Sequence, residues 1–120
     1  MKMTLNAGET LFTEGKIDEA EECFLSLLES DSDCKEAYNN LGVIAFQKND
    51  NEKAIDYFTK SLEIDPLCRD TIVNYTNLLR SLDQLSIAIP LLEHVIEQNP
   101  DDIEIKQILE GICHPLSSNT

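Results

Sequence analysis

The chain has 120 residues, 42% of them hydrophobic, and a formal net charge of −14. That is enough for one compact domain or a short repeat array, and it argues against wholesale disorder. Four Gly and four Pro are too few for the many tight turns of an all-β fold, and the negative field repels phosphates and anionic lipid headgroups, so neither nucleic acid nor membrane is an expected partner.

Taken in chain order, "MKMTLNAGETLF" lacks the apolar core of a signal peptide, and no apolar run approaches the ~20 residues that span a bilayer. The expectation is a cytoplasmic location. Residues 1–34 carry nine acids against two bases, so acidity is greatest at this end. Most of it reads as solvated surface. Set against itself at an offset of 34, the chain aligns Gly8 with Gly42, Ala20 with Ala54 and Ala88, Phe24 with Phe58 and Leu92, and Pro66 with Pro100. A fixed period of this size marks stacked supersecondary units. The units are 1–34, 35–68 and 69–102, each predicted as a pair of antiparallel helices.

In the middle unit Tyr38, Leu41, Gly42 and Ala45 share one helical face, and Ala54, Phe58, Ser61 and Leu62 share the next. Small residues at Gly42 and Ala54 allow close helix approach. "QKNDN" (47–51) breaks the pair and offers Asn and Asp as caps. Asp33 with Glu36 and Asp101 with Glu104 have the spacing of a capping box. Pro90 lies four residues beyond Ser86, a candidate cap, and predicts a local kink in the third unit's second helix. "DDIEIKQILEGIC" predicts a further amphipathic helix over 103–113 that covers the open end of the third unit. "HPLSSNT" (114–120) reads as a flexible tail.

The series Tyr38-x-x-Leu41-Gly42-x-x-Ala45, Ala54-x-x-x-Phe58 and Pro66 resembles the tetratricopeptide repeat pattern of W-x-x-L-G-x-x-Y, A-x-x-x-F and P. The outer units are degenerate: Ser32 replaces the proline in the first, and Tyr75-Thr76 replaces Leu-Gly in the third. The resemblance implies an all-α, right-handed superhelix of antiparallel helix pairs, an α-solenoid, that binds proteins without catalysing a reaction. It also implies that the first helix of each unit lines a concave groove.

On that reading the groove stripes are Lys2, Leu5, Asn6, Glu9, Phe12 and Thr13; Glu36, Asn39, Asn40, Val43, Phe46 and Gln47; and Asp70, Val73, Asn74, Asn77, Arg80 and Ser81. Asn6, Asn40 and Asn74 stand 34 residues apart. They resemble the asparagine ladder in the groove of some arrays of this family, O-GlcNAc transferase among them. An amide supplies both a donor and an acceptor, so it can hold the backbone of an extended peptide. Leu5, Phe12, Val43, Phe46 and Val73 would supply apolar pockets, with Asn39, Asn77 and Arg80 beside them. Acidic walls at Glu9, Glu36 and Asp70 favour a neutral to basic protein or peptide.

The family's carboxylate clamp for chaperone tails ending in EEVD needs Lys, Asn, Asn, Lys and Arg at five places. Here they hold Leu5, Glu9, Asn40, Asp70 and Asn74. Only Asn40 matches, and such tails are not expected as ligands.

Four cysteines, Cys23, Cys34, Cys68 and Cys113, show no zinc or redox spacing and read as reduced thiols. His94 and His114 lack a nucleophile nearby in sequence, and the acids at Asp18, Glu19, Glu21 and Glu22 read as solvated charge. No phosphate loop, H-E-x-x-H or G-x-S-x-G is present. Neither a catalytic site, a metal nor a cofactor is therefore expected. The alternative function is a self-associating scaffold, a homo-oligomer joined through its end faces, or an accessory repeat domain beside a glycosyltransferase or methyltransferase.

Overall fold

A computed structural model describes residues 4–113. In chain order it forms α1 (Leu5–Thr13), α2 (Ile17–Ser30), α3 (Lys35–Gln47), α4 (Asn51–Ile64), α5 (Arg69–Ser81), a 3-10 turn at Leu85–Ile87, α6 (Ala88–Gln98) and α7 (Ile103–Cys113). No strand occurs among the described residues. Helices pair as α1 with α2, α3 with α4 and α5 with α6, while α1, α3 and α5 also pack in series and α7 docks on α6. The result is an all-α solenoid. Its radius of gyration, 15.4 Å, exceeds the roughly 14 Å of a compact domain of this length. Lys2, His114 and the tail at 114–120 lie outside the described residues.

Each joint between the first and second helix of a unit turns on a left-handed residue. Gly15 has φ 84°, Asn49 φ 63° and Asp83 φ 58°, and these three positions are 34 residues apart. Glycine reaches this region without steric cost, and Asn and Asp tolerate it better than other side chains. Thr4 caps α1 by accepting from the Ala7 amide at 3.1 Å, and Asp50 caps α4 by accepting from the Lys53 amide at 3.3 Å. The cap expected at Asp101 is instead Asp102, which accepts from the Ile105 amide at 3.2 Å. At α3 the expected Asp33 box does not form: Cys34 precedes the helix with no side-chain cap.

Ser86 does not cap the sixth helix either. It lies within the 3-10 turn, and α6 starts at Ala88 without a side-chain cap. Pro90 therefore stands third in the helix, where its missing N–H removes little, and the first turn of the expected helix tightens to 3-10. Elsewhere in this unit the packing stays regular, with Ala88, Leu92 and Val95 buried.

Two apolar cores run along the solenoid. Ala20, Phe24, Cys34, Ala37, Leu41 and Ile44 form the first. The second includes Ala54, Phe58, Leu62, Ile72, Leu78, Leu79, Leu92 and Ile105. A Cβ added at Gly42 would lie 2.5 Å from the Phe58 ring, and one at Gly8 would lie 2.5 Å from the Phe24 ring. Both glycines exist to admit that ring. In the third unit Thr76 takes the glycine's place and Leu92 the phenylalanine's, both buried, so the bulk is shared differently across the same contact. The Thr76 hydroxyl is satisfied within its own helix by the Ile72 carbonyl at 2.7 Å. Buried Ser61 and Thr71 join α4 to α5 through hydroxyls 2.7 Å apart, and Ser61 also donates to the Lys35 carbonyl at 3.0 Å.

Candidate functional site

Because α1, α3, α5 and α7 stand side by side, each contributes to one cavity of about 380 Å³. It is lined by Glu9, Asn39, Asn40, Arg69, Asp70, Val73, Asn74 and Glu104. The amides in it are held laterally, from helix to helix. Asn40 Nδ2 donates to Glu9 Oε2 at 3.2 Å, joining α3 to α1. Asn74 Nδ2 donates to Asn39 Oδ1 at 3.0 Å, joining α5 to α3. Each amide of the cavity keeps hydrogen-bonding capacity beyond the single bond it makes here, since a carboxamide carries two N–H groups and an acceptor oxygen.

The structure thus gathers Glu9, Asn39, Asn40, Asp70, Val73 and Asn74 from the sequence-predicted stripes into one cavity. Asn6 is exposed on the first turn of α1. Leu5 and Phe12 are half-buried against the first core, and Val43 and Phe46 against the second. Val73 also packs partly against the second core, and of the five expected pocket residues it alone lines the cavity. Asn77 and Arg80 sit further along α5 and bond each other, with Arg80 Nη1 donating to Asn77 Oδ1 at 2.8 Å.

Arg69 and Glu104 line the cavity without having been marked by the sequence reading. The signal for Glu104 is its spacing: Glu36, Asp70 and Glu104 are themselves 34 residues apart, so α7 continues the series of first helices as well as covering the third unit. Arg69 is committed to acids. Its Nε donates to Asp102 Oδ2 at 3.0 Å and its Nη2 pairs with Glu104. Those hydrogen bonds hold the guanidinium above its ordinary pKa and the Asp102 carboxyl below the usual carboxylate range.

Three further ion pairs, made by two lysines, fasten neighbouring elements. Lys35 at the start of α3 binds Asp65 just after α4, which holds the Asp65 carboxyl low. Lys48 reaches Asp18 at 2.7 Å and Glu21 at 3.0 Å on α2, and holds Asp18 low. His94 is exposed on α6, and no grouping of three or more metal-ligating side chains occurs among the described residues. Cys23 and Cys34 are buried, Cys68 is half-buried and Cys113 is exposed.

A family model for the tetratricopeptide repeat matches residues 5–67, and a second matches 45–112. The chain belongs to the tetratricopeptide-repeat family. Among curated proteins it is similar to anaphase-promoting complex subunit CDC16 of Saccharomyces cerevisiae, 38% identical over 74 residues, covering 56% of this chain and 9% of that protein. It is also similar to human protein O-mannosyl-transferase TMTC1, 24% identical over 117 residues, covering 94% of this chain and 13% of that protein. The chain spans only a small part of either relative.

Among solved structures, the first tetratricopeptide-repeat domain of Spaghetti (RPAP3), bound to the HSP90 peptide SRMEEVD, superposes with a TM-score of 0.78 at 20% identity. That match covers 93% of this chain and 91% of the other. YrrB, a tetratricopeptide-repeat protein with an unusual peptide-binding site, superposes with a TM-score of 0.70 at 25% identity, covering 88% and 54%. The first likeness shows the fold alone. As a tetratricopeptide-repeat array, the chain is a protein–protein interaction module of a generally non-catalytic kind.

Proposed function

We propose that the chain binds an extended segment of a partner protein along the concave face, and that the cavity between α1, α3, α5 and α7 is where that segment is held. The observation that carries this reading is the meeting of Asn39, Asn40 and Asn74 in one cavity of about 380 Å³. Asn40 and Asn74 are each steadied by a neighbouring helix. Amides so placed bond peptide backbone without demanding a particular side chain, and Val73 gives the cavity an apolar wall. Asn6, Asn77 and Arg80, exposed on the same stripes, would extend this path, and Leu5, Phe12, Val43 and Phe46 would offer it only the surface that core packing leaves uncovered. Chaperone tails ending in EEVD are disfavoured, because Glu9 and Asp70 stand where a terminal carboxylate would need cations. The cytoplasmic setting belongs to the same proposal.

A random-peptide display library panned against the full chain supplies a ligand for the test. Titrated by fluorescence anisotropy, that peptide is expected to bind Asn40→Ala and Asn74→Ala about tenfold more weakly than wild type, equivalent to ~1.4 kcal/mol each. Helical circular dichroism should be unchanged, since both side chains are only half-buried. Unaltered affinity in both variants would remove the concave face as the binding surface. The alternative, self-association through the end faces, draws on Ile103, which is 67% exposed at the start of α7. A peptide that competes with self-association but ignores Asn40→Ala would favour it.

A further inference from the structure

We infer that the partner segment is cationic, and that a lysine or arginine side chain of it enters the cavity between Glu9 and Asp70, beside Asn40 and Asn74. This rests on the groove reading above and adds the sign and the place of the recognised charge.

The argument begins with how the groove's charges are used. Four ionic side chains line the cavity: Glu9, Arg69, Asp70 and Glu104. The one cation among them is spent within the fold, because Arg69 lies along Asp102 and Glu104 at the α5–α7 joint. Lys35, the residue that stands 34 positions before Arg69, is likewise spent on Asp65. Lys35 is thus paired within its own unit and Arg69 at the α5–α7 joint, which leaves no unpaired base lining the cavity; Arg80, further along α5 and outside it, bonds the neutral Asn77.

The acids are treated differently. Among the described residues, Glu9 and Asp70 have no cation within salt-bridge distance, and neither does Glu36 on the α3 stripe. What Glu9 does have is a neutral donor, Asn40 Nδ2 at 3.2 Å, which orients the carboxylate without cancelling its charge. Asn40 Oδ1 and Asn74 Oδ1 add acceptors on the same wall. A guanidinium or ammonium group offers donors only, so it matches a wall of carboxylate and amide oxygens. An anionic or chaperone-tail ligand meets repulsion from the same groups. The array as a whole, at −14, steers cations inward and accelerates their encounter.

The test uses the full chain. A random-peptide display library is panned against wild type and, separately, against a Glu9→Gln/Asp70→Asn variant; both changes keep shape and remove charge from exposed side chains. Wild type is expected to enrich peptides carrying Lys or Arg above their frequency in the library. A peptide so selected should bind the doubly substituted chain at least tenfold more weakly, and should weaken in wild type as NaCl rises from low to high concentration. Replacing its Lys by acetyl-lysine, or its Arg by citrulline, should reproduce the loss and show which cation is taken.

Two failures have different meanings. Enriched peptides that are neutral or acidic, yet lose affinity on Asn40→Ala, would overturn the cationic assignment and leave the groove in place. Basic peptides whose binding ignores both Asn40→Ala and Glu9→Gln/Asp70→Asn would overturn the groove reading, and this inference with it, by showing attraction to the acidic surface at large.

Discussion

Gly42 is a sharp point of constraint at the level of single residues. Its hydrogen stands where a methyl group would press 2.5 Å from the Phe58 ring, and Phe58 is fully buried against Tyr75 as well, with ring centroids 6.0 Å apart. Gly42→Ala gains about 1 kcal/mol of helix propensity and loses about 1–3 kcal/mol to overpacking. A net destabilisation of roughly 1 kcal/mol is therefore expected from urea unfolding. Phe58→Leu should cost less in the Gly42→Ala background than alone, because the third unit already solves the contact with Thr76 and Leu92. Additive effects of the two changes would refute the contact. The pairing was legible in sequence, since glycine and phenylalanine change together between units at the same offset. The left-handed series Gly15, Asn49 and Asp83 was equally legible in principle. Three different residue types masked what they share, a backbone conformation rather than a chemistry.

Between elements, several of the joints are ionic and differ from one another. Lys35–Asp65, Lys48–Asp18 and Arg69–Asp102 each join two elements, and each holds its aspartate below the ordinary carboxylate value through the hydrogen bond from its base. Because the folded-state value is depressed, the stabilisation is present above the unfolded-state value, near 3.9. It is lost as pH falls through the folded-state values. The melting temperature should therefore fall as pH drops below about 4. Arg69→Gln should lower the melting temperature at neutral pH and make the acid-side fall shallower, as followed by circular dichroism. An unchanged acid limb would show that the α5–α7 joint is not set by this pair. The spacing of Asp101 and Glu104 puts the α7 cap at Asp101, whereas Asp102 is used. Neighbouring aspartates are equivalent in pattern, and only the position of Arg69 across the joint distinguishes them.

For the whole molecule, the 34-residue period predicts the solenoid, and α1 to α7 form it. The groove was legible only in part. Periodicity puts Glu9, Asn39, Asn40, Asp70, Val73 and Asn74 on the stripes, and these six line one cavity. It could not show that Asn6 remains exposed at the start of α1, or that Leu5, Phe12, Val43 and Phe46 turn their apolar surface to the cores. Those outcomes depend on how far each helix extends and how it leans on the next, which a one-dimensional stripe does not contain. Likewise α7 was read as a cover, although Glu104 brings it into the same cavity as Asn39 and Asn74.

The most direct test of the concave face as the binding surface is a nuclear magnetic resonance titration of the isotopically labelled chain with its library-selected peptide. The account predicts that the side-chain amide signals of Asn39, Asn40 and Asn74 and the methyl signals of Val73 move together and saturate at one peptide per chain. Shifts confined to Leu25 on α2, Ile87 beside α6 or Ile103 at the start of α7, with those amides unmoved, would contradict it and place binding on the convex or end surfaces.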